Sequence, residues 1–141
     1  MMDVILNKKE SIERCIKQVR LYYAKPSDLP FAKDYLKQDA IAVNLQRAAE
    51  QVVDLANHII MKKKLGLPKE SGESFEILAK SNIITGDLAE KLKNMVGFRN
   101  IIVHQYRDLD IKIMTDVIEH RLDDLIVFTN RVMEFARGNA S

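Results

Sequence analysis

The chain has no tryptophan, one cysteine, three prolines and five glycines in 141 residues. So few turn-formers leave little material for a β architecture built from many short strands. The lone Cys15 excludes an intramolecular disulfide and suits a reducing compartment; set among apolar residues, it reads as a small core side chain. No stretch approaches the roughly 18 consecutive apolar residues of a membrane span, and Met1 to Glu10 has no long apolar run of the kind a signal peptide carries. The expectation is a cytoplasmic protein with no membrane partner. There is also no glycine-rich phosphate loop, no Cys/His cluster at ligand spacing and no acidic array suited to two divalent metals. No metal site and no cofactor are expected.

What is present favours helices. Leu, Ile, Ala, Lys and Glu dominate, and residues 1–141 are long enough to bury one domain's core. Val4 to Ala24 reads as a first helix with Ile5, Ile12, Cys15, Ile16 and Val19 on one stripe, ended by Lys25-Pro26. The longest helix should run from Phe31 to Lys64, bent near Lys37 to Asp39. Its stripe, Ile41, Leu45, Ala48, Val52, Leu55 and Ile59, recurs at steps of four and three. Lys62-Lys63-Lys64 complements the negative end of its dipole, Gly66 and Pro68 stop it, and His58 lies one turn after Asp54 and within its reach. A short helix follows from Ser74 to Lys80. Thr85 should cap a helix over Gly86–Val103. Asp108 or Asp110 should cap a last helix over Ile111–Arg137, with Met114, Val117, Ile118, Leu122, Leu125, Phe128, Val132 and Phe135 facing inward. The sum is an all-α fold: an antiparallel four-helix bundle with one additional short helix.

One segment conflicts with this plan. Counting about 100° per residue from Leu88, the side chains of Ile84, Leu92, Met95 and Ile102 fall within roughly 40° of one line, and Arg99 lands in the middle of it. A guanidinium cannot give up its charge, and burying it unpaired is very costly. Arg99 must therefore meet a carboxylate, a partner chain or an anionic ligand. Asp123 and Asp124 on the last helix are candidates for the carboxylate, without a sequence criterion to choose one. Asn100 and His104, four apart, share a neighbouring face, and Tyr106 follows. An imidazole that both gives and takes protons near neutrality, beside a guanidinium shaped to grip phosphate, suits phosphodiester cleavage. His104 would do the acid–base work, Arg99 would stabilise charge on the phosphorus oxygens, and Asn100 would orient His104 or bind a phosphate oxygen. Residues 91–107 hold Lys91, Lys93, Arg99 and Arg107 with no acid, although the whole chain carries only +2. Such a local patch is the footprint of an anionic ligand, with Lys93 and Arg107 as RNA-binding supports. The competing reading is an ordinary structural ion pair and a solvated helix face. Because one chain supplies a single Arg–His pair, a symmetric homodimer would provide both acid and base.

Arg99-Asn100-x-x-x-His104-x-Tyr106 resembles the R-x4-H-x-Y signature of the HEPN superfamily. The lead-in Asn94-Met95-Val96-Gly97-Phe98, the block Asn44-Leu45-Gln46-Arg47-Ala48 and the later Arg121-Leu122-Asp123-Asp124-Leu125 are similar to its HepT-like branch, and the likeness runs from about Ile5 to Phe135. The resemblance implies a helical-bundle toxin ribonuclease that acts on tRNA or mRNA without a metal, with two motifs facing across a basic cleft. It also implies a cognate minimal nucleotidyltransferase antitoxin that transfers AMP to Tyr106. From the residues alone, Tyr106 is open to two readings: packing at a helix end, or an exposed phenol bordering the site. The alternative function is a non-catalytic module of the same fold that holds nucleotide or substrate for a partner nucleotidyltransferase.

Overall fold

The computed structural model describes residues 1–104 and 110–138, and the described part contains helices and no strand. Helix α1 is Met2–Ala24. A single 3-10 turn, Phe31–Lys33, precedes α2, Tyr35–Lys63. Helices α3 (Ser71–Lys80) and α4 (Gly86–His104) follow, and the last segment is divided into α5 (Ile111–His120) and α6 (Leu122–Gly138).

Every inward stripe expected of α1, α2 and the last segment is buried, apart from a half-buried Phe135. Cys15 is a buried free thiol, its pKa raised by that burial. Neighbouring helices run antiparallel. The Lys8 ammonium near the start of α1 meets Asp54 late in α2 at 3.5 Å, and Arg20 near the end of α1 meets Asp123 at the start of α6 at 2.8 Å. On the diagonal, the Lys63 ammonium lies 5.9 Å from the centre of the Phe135 ring, so the C-terminal ends of α2 and α6 share one end of the bundle. The short α3 is held by Phe75 edge-on to Phe128 of α6, with ring centres 5.9 Å apart. The buried Ser74 hydroxyl also donates to Asn57 Oδ1 of α2 at 2.5 Å.

Helix ends follow local chemistry. The Thr85 hydroxyl accepts the Leu88 N–H at 3.1 Å and caps α4. Asp110 accepts the Lys112 N–H at 2.8 Å and opens α5; Asp108 lies outside the described residues. Several boundaries differ from the sequence expectation, among them the start of α3, which lies at Ser71 and not at Ser74. The long helix begins at Tyr35, because Asp34 accepts the Lys37 N–H at 3.1 Å and breaks the chain from the preceding turn; the bend thus lies upstream of Lys37 to Asp39. Helix α2 ends on Lys64, which adopts the left-handed conformation at φ 54° and ψ 47° ahead of Gly66. The Leu65 N–H closes that end onto the Ile60 carbonyl at 3.0 Å. The last helix is two, interrupted at Arg121. Its apolar stripe continues across the break, so periodicity does not reveal it. The charges do: His120 sits in the last turn of α5 and Asp123 and Asp124 in the first turn of α6, each complementing a separate dipole.

Candidate active site in the groove between α2 and α4

Helix α4 lays Leu88, Leu92, Met95 and Ile102 into the core, which carries Arg99 to the floor of a groove against α2. The groove encloses about 160 Å3 and is lined by Ala49, Glu50, Val53, Val96, Arg99 and Asn100, with Asp54 at its edge. The carboxylate that meets Arg99 is Glu50. Arg99 Nη2 donates to Glu50 Oε1 at 2.7 Å, the side chains being 29% and 40% exposed. Gln46 Nε2, one turn earlier on α2, donates to the same Oε1 at 3.2 Å, and Arg99 Nη1 donates to Asn100 Oδ1 at 3.0 Å. These bonds form a chain, Gln46–Glu50–Arg99–Asn100, across the groove. The guanidinium beside Glu50 holds its carboxyl below the usual range, opposed by partial burial and helped by Gln46. The arrangement leaves Arg99 Nε–H buried with no acceptor among the described residues.

Asp123 and Asp124 do not fill the role considered for them. Asp123 pairs with Arg20, and Asp124 is half-buried, its pKa raised by that burial. Asn100 is turned to Arg99 through its amide oxygen. His104 is the exposed final residue of α4, five residues beyond Arg99, and at 1.5 Å per residue it stands about 7.5 Å further along the axis. Tyr106 and Arg107 lie outside the described residues.

The expected unbalanced stripe of positive charge is neutralised where it is described. Lys91 pairs with Asp87 at 3.1 Å, Lys93 with Glu76 of α3 at 2.5 Å, and Arg99 with Glu50. The acids come from the preceding turn and from neighbouring helices, so a window of sequence cannot count them. Lys93 faces α3, where its hydrogen bond with Glu76 raises the ammonium pKa and lowers the carboxyl pKa. His58 does not pair with Asp54, which turns to Lys8. Its Nε2 is buried without a partner among the described residues, and burial, with Lys62 and the chain's amino terminus, pushes its pKa down. Among the described residues no group of three or more His, Cys, Asp or Glu side chains is placed to hold a metal ion, and no helix is long and apolar enough to cross a membrane.

Sequence reasoning did not identify Glu50 or Gln46. Several acids on α2 point away from the core stripe, and only the packing of α4 selects Glu50 from among them. The nearest sequence signal is that both residues lie within or just after the block Asn44 to Ala48.

Comparison with known proteins bears on this groove. A family model described as Ribonuclease HepT-like matches residues 12–132. The chain is 44% identical over 128 residues to the mRNA nuclease HepT of Shewanella oneidensis, covering 91% of this chain and 95% of the relative. It is 36% identical over 66 residues to the tRNA nuclease HepT of Aphanizomenon flos-aquae, covering 47% and 45% of the two chains. The structure of the tri-AMPylated Shewanella oneidensis HEPN toxin in complex with its MNT antitoxin superposes with a TM-score of 0.88 at 42% identity, over 95% of this chain and 99% of that one. Fold, sequence and the residues gathered at the groove lead to one assignment: the chain belongs to the HepT-like family of ribonucleases.

Proposed function

We propose that the protein is the toxin of a toxin–antitoxin pair and acts as a metal-independent endoribonuclease, working as a homodimer on tRNA or mRNA. The observation that carries this reading is Arg99. It is held part-exposed on the inward stripe of α4 by a carboxylate from another helix, with the exposed imidazole of His104 five residues on. A phosphate entering the groove competes with Glu50 for the guanidinium, which suits two parallel hydrogen bonds to phosphate oxygens.

In the reaction, a basic imidazole takes the proton of a ribose 2′-hydroxyl as its oxygen attacks phosphorus. The bond from phosphorus to the 5′-oxygen breaks, and an imidazolium returns a proton to that leaving oxygen. The products are a 2′,3′-cyclic phosphate and a 5′-hydroxyl. Arg99 stabilises charge on the non-bridging oxygens, and two copies of His104 in a dimer provide the base and the acid. Asn100 fixes the Arg99 head group. Lys93 and Arg107 contribute positive charge along the RNA path, Lys93 after release from Glu76.

The cognate minimal nucleotidyltransferase antitoxin silences the enzyme by AMPylation. The Tyr106 oxygen attacks the α-phosphorus of ATP, pyrophosphate leaves, and the bulky anion then repels RNA. Both the motif spacing and the AMPylated state of the Shewanella toxin support this reading.

Controlled expression in a bacterial host tests the function. Wild type should arrest growth, His104→Ala should not, and co-expression of the antitoxin should restore growth with wild type but not with Tyr106→Phe. Harmless expression of wild type at the level reached by His104→Ala would overturn the toxin reading.

A further inference from the structure

An RNA strand entering the groove brings a row of phosphates with it, and α4 offers them less positive charge than its sequence suggests. Lys91, Lys93 and Arg99 are each paired with an acid. Helix α2 holds what α4 lacks. Arg47, one turn from Glu50, is exposed and forms no ion pair among the described residues, and the same is true of Lys33 in the turn before the helix. Close to Lys33 stands Tyr35, the first residue of α2, 69% exposed. Its ring meets no other ring and its phenol makes no hydrogen bond among the described residues. One exposed aromatic side chain is ordinary; its register here is not.

Tyr35 lies five helical turns before Val53 at about 3.6 residues per turn, and Gln46 falls within about 20° of the same line. Val53 lines the groove, so Tyr35 stands on the groove side of α2. The direction is set as well. Ser74 of α3 meets Asn57 of α2, Glu76 of α3 meets Lys93 of α4, and Arg99 meets Glu50. Going along α4 from Lys93 to Arg99 therefore passes α2 from Asp54 back to Glu50, and going on to His104 leads towards Tyr35. Tyr35 is about 22 Å from Glu50 along α2 at 1.5 Å per residue, and His104 covers about 7.5 Å of that length. The rest, about 15 Å, is a distance that a few nucleotides of single strand bridge.

We infer that this side of α2 is a docking track for single-stranded RNA: a base stacks on the Tyr35 ring, and Arg47 and Lys33 take phosphates of the strand that leads from it to Arg99. The inference rests on the ribonuclease reading and adds to it a subsite remote from the bond that is cut. Every base has a π-face, so a stack of this kind tolerates any sequence, while it requires a base that is out of a duplex. Two acids border the track. Asp34 accepts the Ser27 hydroxyl and the Lys37 N–H, and Asp39 already has an interaction within the chain. The ring and the two cations are therefore the groups along this line that the fold does not use, and they are the pair of chemistries, stacking and charge, by which single strands are held.

Fluorescence anisotropy on the full chain carrying His104→Ala, which keeps Arg99 but should not cut the probe, tests this with labelled oligoadenylates from about four to about 16 nucleotides long. Affinity should rise with length until the strand reaches Tyr35. Adding Tyr35→Ala should weaken the longer strands about tenfold, as loss of one base stack does, and the shortest strands hardly at all. Tyr35→Phe, which keeps the ring, should bind like its parent. Arg47→Gln and Lys33→Gln should each reduce the log–log salt slope by about 0.7, the share of one phosphate on a single strand, whereas Tyr35→Ala should leave the slope as it is. Each variant is checked for helical content and melting. Should the oligoadenylates bind too weakly to measure, KM for tRNA cleavage is the second arm, and Tyr35→Ala should raise it about tenfold. Long strands bound equally well without the ring, an equal loss at every length, or an unchanged KM overturns the track and leaves the ribonuclease standing. RNA neither bound by His104→Ala nor cut by wild type overturns both.

Discussion

Glu50 decides what Arg99 is free to do, and its effect is measurable apart from catalysis. Its folded pKa is depressed, so the stabilisation from the Arg99 pair is complete above the ordinary Glu pKa and is lost as pH falls through the depressed value. Glu50→Gln should remove that contribution. Since the pair is about a third exposed, we expect a loss of about 1 kcal/mol or less at neutral pH and a flatter acid limb, read as urea midpoints from about pH 6 to pH 3, around the Glu reference value. His58 behaves in the same direction for a different reason. Burial lowers its pKa, so the folded state favours the neutral ring, and stability falls as pH drops from the ordinary His value, about 6.5, through the lowered one. Chemical denaturation at pH 7 and pH 5 should show this loss in wild type and not in His58→Leu. The conflict between Arg99 and its apolar stripe was legible in the sequence, because it needs only helix periodicity and the permanence of a guanidinium charge. Its resolution was not, since Glu50 lies on another helix. The same reason hid the partners of Lys93 and Asp54.

Helix boundaries were legible where a side chain caps its own backbone and obscure where backbone geometry does the work. Thr85 and Asp110 cap α4 and α5 through their oxygens, and both residue types announce the role. Thr85→Ala should cost about 1 kcal/mol in a urea melt. Lys64 ends α2 in a left-handed conformation that its residue type gives no reason to expect, while Gly66 nearby is the more obvious stop. Lys64→Gly relieves the contact between Cβ and carbonyl in that conformation and should stabilise the protein by about 0.5–1 kcal/mol. A destabilised Lys64→Gly protein would contradict the assigned end. The division of the last helix at Arg121 escaped detection because the inward stripe from Met114 to Phe128 crosses it without a change of phase.

The bundle as a whole was legible because its four long amphipathic segments each carry one unmistakable face, and antiparallel packing joins them with short connections. Family membership was legible in the spacing of Arg99, Asn100, His104 and Tyr106 together with the three flanking blocks. Single-chain packing leaves the imidazole of His104 exposed at the end of α4, where the proposed reaction needs it. The account as a whole depends on whether Arg99 and His104 break RNA by transesterification without a metal. The most direct measurement is incubation of purified wild type, Arg99→Ala and His104→Ala with tRNA and total RNA in excess EDTA, followed by analysis of the product ends. We expect wild type to leave 2′,3′-cyclic phosphates and 5′-hydroxyls. Arg99→Ala should be slower by about 10²–10³ and His104→Ala by about 10²–10⁴, each with an unchanged melting profile. RNA bound without cleavage by wild type, or equal cleavage by all three proteins, would contradict it.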